Sequence, residues 1–215
     1  MLRENSSPSA LPEGFLYQPH FITGEEERIL LDEIASLDFQ PFDFHGYIAK
    51  RRIVEYGYGY EYDFSSRQAQ NARPLPAFLD PFRERAAACA GISADQIIEC
   101  VVTEYSPGSP IGWHRDVPQF EIIIGISLRS SCRFRFKPYR EKGKIVSLIL
   151  EPRSAYIMRG PARWNFQHSI PAAESLRYSI TFRTWRSARA RSTTAKGKLT
   201  KTETAILREP YRPGA

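Results

Sequence analysis

The sequence predicts an α+β domain in which helices come first and the strands that follow close into a double-sheet jelly roll, with the N-terminal helices packed on one sheet. Helical periodicity is confined to the first part of the chain, before Gly91. From Ile97 onward, short strand-like runs follow one another between turns bearing Pro and Gly. A chain of 215 residues with 42% hydrophobic content is enough for one domain with a substantial core.

Each element has its own signal. Thr23-Gly24-Glu25-Glu26 has capping-box spacing and opens a helix over 24–36, with Ile29, Leu30, Ile34 and Leu37 at helical intervals. A second helix is expected from about Leu75 to Cys89, entered at Pro76, carrying Phe78, Leu79 and Phe82, and closed by Gly91. Strands are expected at Glu99 to Tyr105, Phe120 to Leu128, Cys132 to Lys137, Ile145 to Leu150, Ala155 to Met158 and Arg177 to Trp185. Turns such as Ser106-Pro107-Gly108 and Lys142-Gly143 separate them, and no internal repeat is visible.

Composition narrows the setting. Cys89, Cys100 and Cys132 form neither a close metal-ligand spacing nor an even disulfide set, so a reducing compartment is expected. Residues 1–12 lack the apolar stretch of a signal peptide and read as a flexible N-terminus; Ile122 to Leu128 is too short to span a bilayer. The expectation is an intracellular, cytoplasmic monomer, nucleoid-associated or nuclear in a eukaryote, with no membrane partner. Residues 13–186 then form the domain and 187–215 a flexible basic tail. Seven basic residues against Glu203 and Glu209 give that tail +5 of the chain's +6. Such an arm suits either plain solvation or phosphate contact.

Three residues carry the chemistry. On an extended segment, residues two apart point to one face, so His114 and Asp116 can aim at a single point, with His168 brought alongside on another strand. Two imidazoles and one carboxylate suit a mononuclear Fe(II) centre that keeps a face of positions open. By itself a His-x-Asp pair also fits a surface turn, and His20 and His45 have no partner at comparable spacing. Further on, Arg177, Ser179, Thr181 and Arg183 alternate with Tyr178, Ile180 and Phe182, which puts all four polar groups on one face. That face could be solvated. An inner strand close after His168 is the favoured reading, because arginine's fixed fork suits bidentate capture of a carboxylate. Between Phe42 and Phe64 aromatic and basic residues interleave: Tyr58 and Tyr60 could stack a base while Lys50, Arg51 and Arg52 reach phosphates, or Tyr56 to Phe64 is an edge hairpin with core tyrosines and flexible glycines.

Taken in order, the motifs Thr103-Glu104-Tyr105-Ser-Pro-Gly, Ile111-Gly-Trp-His114-Arg-Asp116, Ser127-Leu128, Phe134-Arg-Phe136, Met158-Arg-Gly, Ala162-Arg163-Trp-x-x-x-His168 and Arg177-Tyr-Ser-Ile-Thr-Phe-Arg183 resemble the AlkB-type Fe(II) and 2-oxoglutarate dependent dioxygenases over about residues 13–186. The resemblance implies a double-stranded β-helix (jelly-roll) core. It implies His114, Asp116 and His168 as iron ligands, Arg177 against the far carboxylate of 2-oxoglutarate, Tyr105 hydrogen-bonding it, and Arg183 near the keto-acid end. Thr103 and Ser179 stand where relatives have asparagines that assist the same co-substrate. Residues 42–64 fall where the family keeps its substrate lid, and Arg140 falls near a basic substrate contact. The implied cofactors are Fe(II), O2 and 2-oxoglutarate as co-substrate. The implied reaction is oxidative demethylation of a base in DNA or RNA, single-stranded or duplex, coupled to formation of succinate. Val117-Pro118-Gln119 departs from the acidic residues that DNA-repair members place beyond the metal aspartate, so base choice stays open. A hydroxylase or demethylase for a protein or small molecule would use the same core.

Overall fold

The computed structural model describes residues 11–44, 47–58 and 73–186. Its elements in chain order are β1 (Phe15–Gln18), α1 (Gly24–Ala35), β2 (Gln40–Phe44), β3 (Tyr47–Gly57), α2 (Asp80–Ala90), β4 (Ile97–Tyr105), β5 (Ile111–His114), β6 (Phe120–Leu128), β7 (Cys132–Pro138), β8 (Val146–Leu150), β9 (Ser154–Met158), α3 (Gly160–Trp164), β10 (Phe166–Ile170) and β11 (Arg177–Trp185). Two antiparallel sheets result. One has seven strands in the order β1-β9-β6-β11-β4-β3-β2 and the other four in the order β5-β10-β7-β8. This is the jelly roll expected from the strand run, with both longer helices against one sheet.

The helices form for local reasons and stay for packing reasons. Thr23 Oγ accepts from the Glu26 amide, and the Glu26 carboxylate accepts from the Thr23 amide, closing the capping box. The same carboxylate takes Arg85 of α2, which joins the two helices and, ahead of the Thr23 bonds, holds the Glu26 carboxyl at about 2. Leu30 and Ile34 are fully buried against the large sheet, and Ala86, Ala87 and Ala90 let α2 lie close to it. The second helix starts later than its periodicity suggested: Ala77–Leu79 is a 3-10 turn, and α2 proper begins at Asp80-Pro81, where proline suits the first turn. Gly91 ends it in the left-handed region at φ +67°, as expected.

A second core lies between the sheets, where Phe15, Ile123, Phe134, Phe136, Leu150 and Met158 meet. Strand β6 serves both cores, Ile124, Ile126 and Leu128 facing the helices and Ile123 facing the other sheet, which is why its sequence reads as one apolar run. Strands β1, β5 and β10 were given no bounds, although a strand was expected to carry His168: each is four or five residues long and too short to show alternation. β2, β3 and α3 also went unread. All three cysteines are free, Cys89 exposed and the other two buried. Among the described residues no helix is long and apolar enough to cross a membrane.

Candidate active site

Backbone register assembles the metal site. β10 lies between β5 and β7, and His168 stands directly opposite His114 on one side and Phe136 on the other. The two imidazoles are 4.2 Å apart between centroids, and Asp116 follows β5 by two residues. The candidate ligand atoms of His114, Asp116 and His168 all lie within 4.8 Å of one another. His114 Nδ1 is 2.9 Å from the Gly112 carbonyl, so a proton there donates to the backbone and leaves Nε2 free to ligate. His168 Nε2 stands 3.6 Å from Asp116 Oδ2, with Phe134 stacked on its ring at 5.4 Å.

Electrostatics prepares these groups. Burial pushes both imidazoles below their ordinary range, His168 furthest and with help from His114, so both are neutral ligands. Burial alone would raise the Asp116 carboxyl, but Arg183 foremost, then His168, Arg163 and His114, hold it well below the usual carboxylate range. Arg183 Nε donates to Asp116 Oδ1 at 3.0 Å, while Oδ2 has no hydrogen-bond partner. One oxygen is fixed and the other offered.

Two contributors escaped the sequence reading. Glu99, 1% exposed, takes Arg183 Nη1 at 2.6 Å; burial pushes its carboxyl up to about 7, and Arg183 draws it only part of the way back. The signal for it was a carboxylate at an inward position of β4, in register with Arg183. Arg163, also 1% exposed, donates through Nη2 to the carbonyls of Asp116, Val117 and Phe120, which pins the loop that follows the ligand.

A second buried polar cluster surrounds Arg177 on the inner face of β11. Arg177 is 1% exposed, donates Nη2 to Ser127 Oγ at 3.2 Å, and leaves Nε and Nη1 unsatisfied. Its guanidinium lies 4.7 Å from the Tyr105 ring centre, and the Tyr105 hydroxyl is 3.5 Å from Ser179 Oγ. Ser179 is in register with both Thr103 and Ser127, so these hydroxyls face the same space. Among the described residues Arg177 has no carboxylate partner, and a buried cation so placed costs several kcal/mol unless an anion joins it. Tyr156 completes the floor by lying across Gly125, where a Cβ would come within 2.3 Å of its ring. The orphaned guanidinium fits a dicarboxylate, and two neutral nitrogens with one free carboxylate oxygen fit Fe(II).

The expected substrate contacts fare differently. Strand alternation divides Lys50, Arg51 and Arg52, expected to reach phosphates, between the two faces of β3. Arg52 turns with Val54 and Tyr56 to the helix-packed side and binds Glu104 at 2.8 Å; Lys50, two residues away, shares that direction. Arg51 faces the site: it covers Phe42 at 4.5 Å, and its charge adds to what lowers His114. Tyr58 is exposed and meets Trp185 at 5.4 Å. Tyr60, with residues 59–64 of the expected lid and the tail from 187, lies outside the described residues. Arg140 follows β7 and covers Tyr139 at 5.2 Å, a ring that Arg115 covers at 3.7 Å.

Residues 20–183 match the model of the 2OG-Fe(II) oxygenase superfamily. The tRNA (carboxymethyluridine(34)-5-O)-methyltransferase alkbh8 of Xenopus tropicalis is 30% identical over 175 residues, which are 79% of this chain and 27% of that protein. The alpha-ketoglutarate-dependent dioxygenase AlkB of Escherichia coli K12 is 28% identical over 136 residues, 57% of this chain and 62% of that one. The chain thus spans about a quarter of the first relative and under two thirds of the second. The solved structure of OsALKBH1 superposes with a TM-score of 0.62 at 14% identity, covering 82% of this chain and 100% of that one, a likeness of fold.

Proposed function

The chain belongs to the AlkB-type 2OG-Fe(II) oxygenases, and from that premise we propose that it oxidatively demethylates bases in DNA or RNA, using 2-oxoglutarate and O2. The observation that carries this is a His114–Asp116–His168 cluster with a free carboxylate oxygen, together with the buried Arg177, which has no anion among the described residues. His114, Asp116 and His168 would hold the iron. Bound there, iron supplies oxygen activation coupled to conversion of 2-oxoglutarate to succinate and carbon dioxide, the methyl group leaving as formaldehyde.

The chain's own residues orient and exclude. Arg177 receives the far carboxylate through its two unsatisfied nitrogens, and the Tyr105, Ser127 and Ser179 hydroxyls complete that cradle. Arg183 keeps Asp116 from turning, and Arg163 keeps the following loop in place. Phe134, Phe136 and Met158 wall off water on the core side. The name of the Xenopus tropicalis relative, which concerns tRNA, and the +6 charge support a nucleic-acid substrate. Val117-Pro118-Gln119 offers no carboxylate to a base amino group just past Asp116, so the base is left unassigned.

The test is succinate release with Fe(II) and ascorbate on oligonucleotides carrying 1-methyladenine or 3-methylcytosine, as DNA and as RNA, against unmodified strands. Stimulation by methylated strands with recovery of the bare base is expected. Turnover equal in every tube would overturn the nucleic-acid substrate, keep the dioxygenase, and direct the search to proteins and small molecules.

A further inference from the structure

We propose that the outer face of the four-stranded sheet is a track for the strand flanking the reacting nucleotide, formed by Arg133, Arg135, Lys137 and Trp113. This rests on the nucleic-acid reading above. On β7, Phe134 and Phe136 point into the core, so Arg133, Arg135 and Lys137 point outward, Arg133 exposed and the other two half-buried. Three cations therefore recur along one line at about 7 Å intervals, the two-residue repeat of a strand.

Their order distinguishes them from ordinary solvated side chains. Trp113 reaches over β10 from β5, and its ring is 4.9 Å from Arg135 Cζ and 4.9 Å from Lys137 Nζ. Arg135 Nε also donates to Ser169 Oγ at 3.0 Å. Both charges are thus held before any ligand arrives, which lowers the entropy lost on binding. Among the described residues Arg115, Arg133, Arg135 and Lys137 form no ion pair, whereas Arg28 and Arg85 on the helices each have a carboxylate. The outward neighbours in register are Gln167, Ser169, Ser147 and Ile149, with no acidic group. Beyond Lys137, Tyr139 carries Arg115, the residue between His114 and Asp116, so the line of charge ends at the metal loop. Ordered cations interleaved with aromatic faces, without counter-charge, suit a phosphate backbone and the bases on it.

The test measures binding of fluorescent 15-nucleotide single strands, RNA and DNA, to the full chain by anisotropy across a salt series. Arg133→Ala/Arg135→Ala/Lys137→Ala should weaken binding tenfold or more and reduce the log–log salt slope by about 2, at about 0.7 per phosphate. Arg133→Glu, an exposed position outside the packed face, should lose several-fold and about 0.7 of slope, and it guards against misfolding of the triple variant. The affinity for 2-oxoglutarate should not change in either. If the parent binds with a steep salt slope and both variants equal it, the track is wrong while the substrate reading stands. If the parent shows no salt-dependent binding, the substrate reading fails and the track with it. Displacement by polyglutamate as effective as by an oligonucleotide of equal charge would also overturn the track, since the face would then bind any polyanion.

Discussion

Arg177 and Arg183 stand six residues apart on one face of β11, and they keep opposite company. Arg183 is clamped by Asp116 and Glu99. Arg177, equally part of the inner face, has one serine hydroxyl, a tyrosine ring and two unsatisfied nitrogens. A buried cation between two anions is scaffold, and its removal strands them; a buried cation without an anion marks a place where one arrives.

The largest effect should come from breaking the partnered end at its functional member. Asp116→Ala or His168→Ala should abolish turnover, by more than about a thousandfold, and should remove Co(II) binding as followed by visible absorption. Next, Arg183→Met should destabilise the fold by about 3–5 kcal/mol in urea unfolding, because Glu99 and Asp116 lose their shared cation. Arg177→Met should be neutral or stabilising in the same experiment while raising the half-saturating 2-oxoglutarate by about 100-fold, the equivalent of about 2–3 kcal/mol of charge-assisted hydrogen bonding. Equal destabilisation by the two substitutions would erase the distinction.

Smaller effects sharpen it. Glu99→Gln should keep the fold and turnover but loosen Arg183, lowering Co(II) affinity about tenfold, the scale typical for a group supporting a ligand; an unchanged affinity would show that Arg183 is held without Glu99. The smallest effect is one of pH. The imidazoles of His114 and His168 titrate below their ordinary 6.5 in the folded chain. The unfolded chain therefore takes up protons first on acidification, and stability present above pH 6.5 is lost as pH falls below it. Metal affinity should stay nearly flat from pH 8 to 6.5, where free imidazoles would be half protonated; isothermal titration with Co(II) at several pH values checks this.

What could be read in the sequence follows from distance along the chain. His114 and Asp116 are two residues apart, and the four polar groups of β11 share one strand, so local alternation exposed both sets. Glu99 stayed hidden because its meaning depends on Arg183, 84 residues away, and on the register of β4 with β11. His168 was legible as a residue on a neighbouring strand, but the bounds of that strand were not, since five residues hold too little pattern. The division of Lys50, Arg51 and Arg52 between two faces was not legible, because a run of like charges hides the strand alternation that turns Arg52 to Glu104. The helix start slipped because Pro76 and Pro81 both suit a first turn, and only packing selects between them.

Tyr156 lying across Gly125 has a consequence for how this chain can vary through time. Every single-base change in a glycine codon that alters the residue installs at least a Cβ, and here that atom would fall within 2.3–2.7 Å of the tyrosine's ring carbons and hydroxyl. The ring packs against Phe15 and Phe134, at 5.8 and 5.1 Å between centroids. Position 125 is therefore a point of low mutational tolerance that touches neither metal nor co-substrate, and its inheritance should track that of the tyrosine rather than that of the ligands.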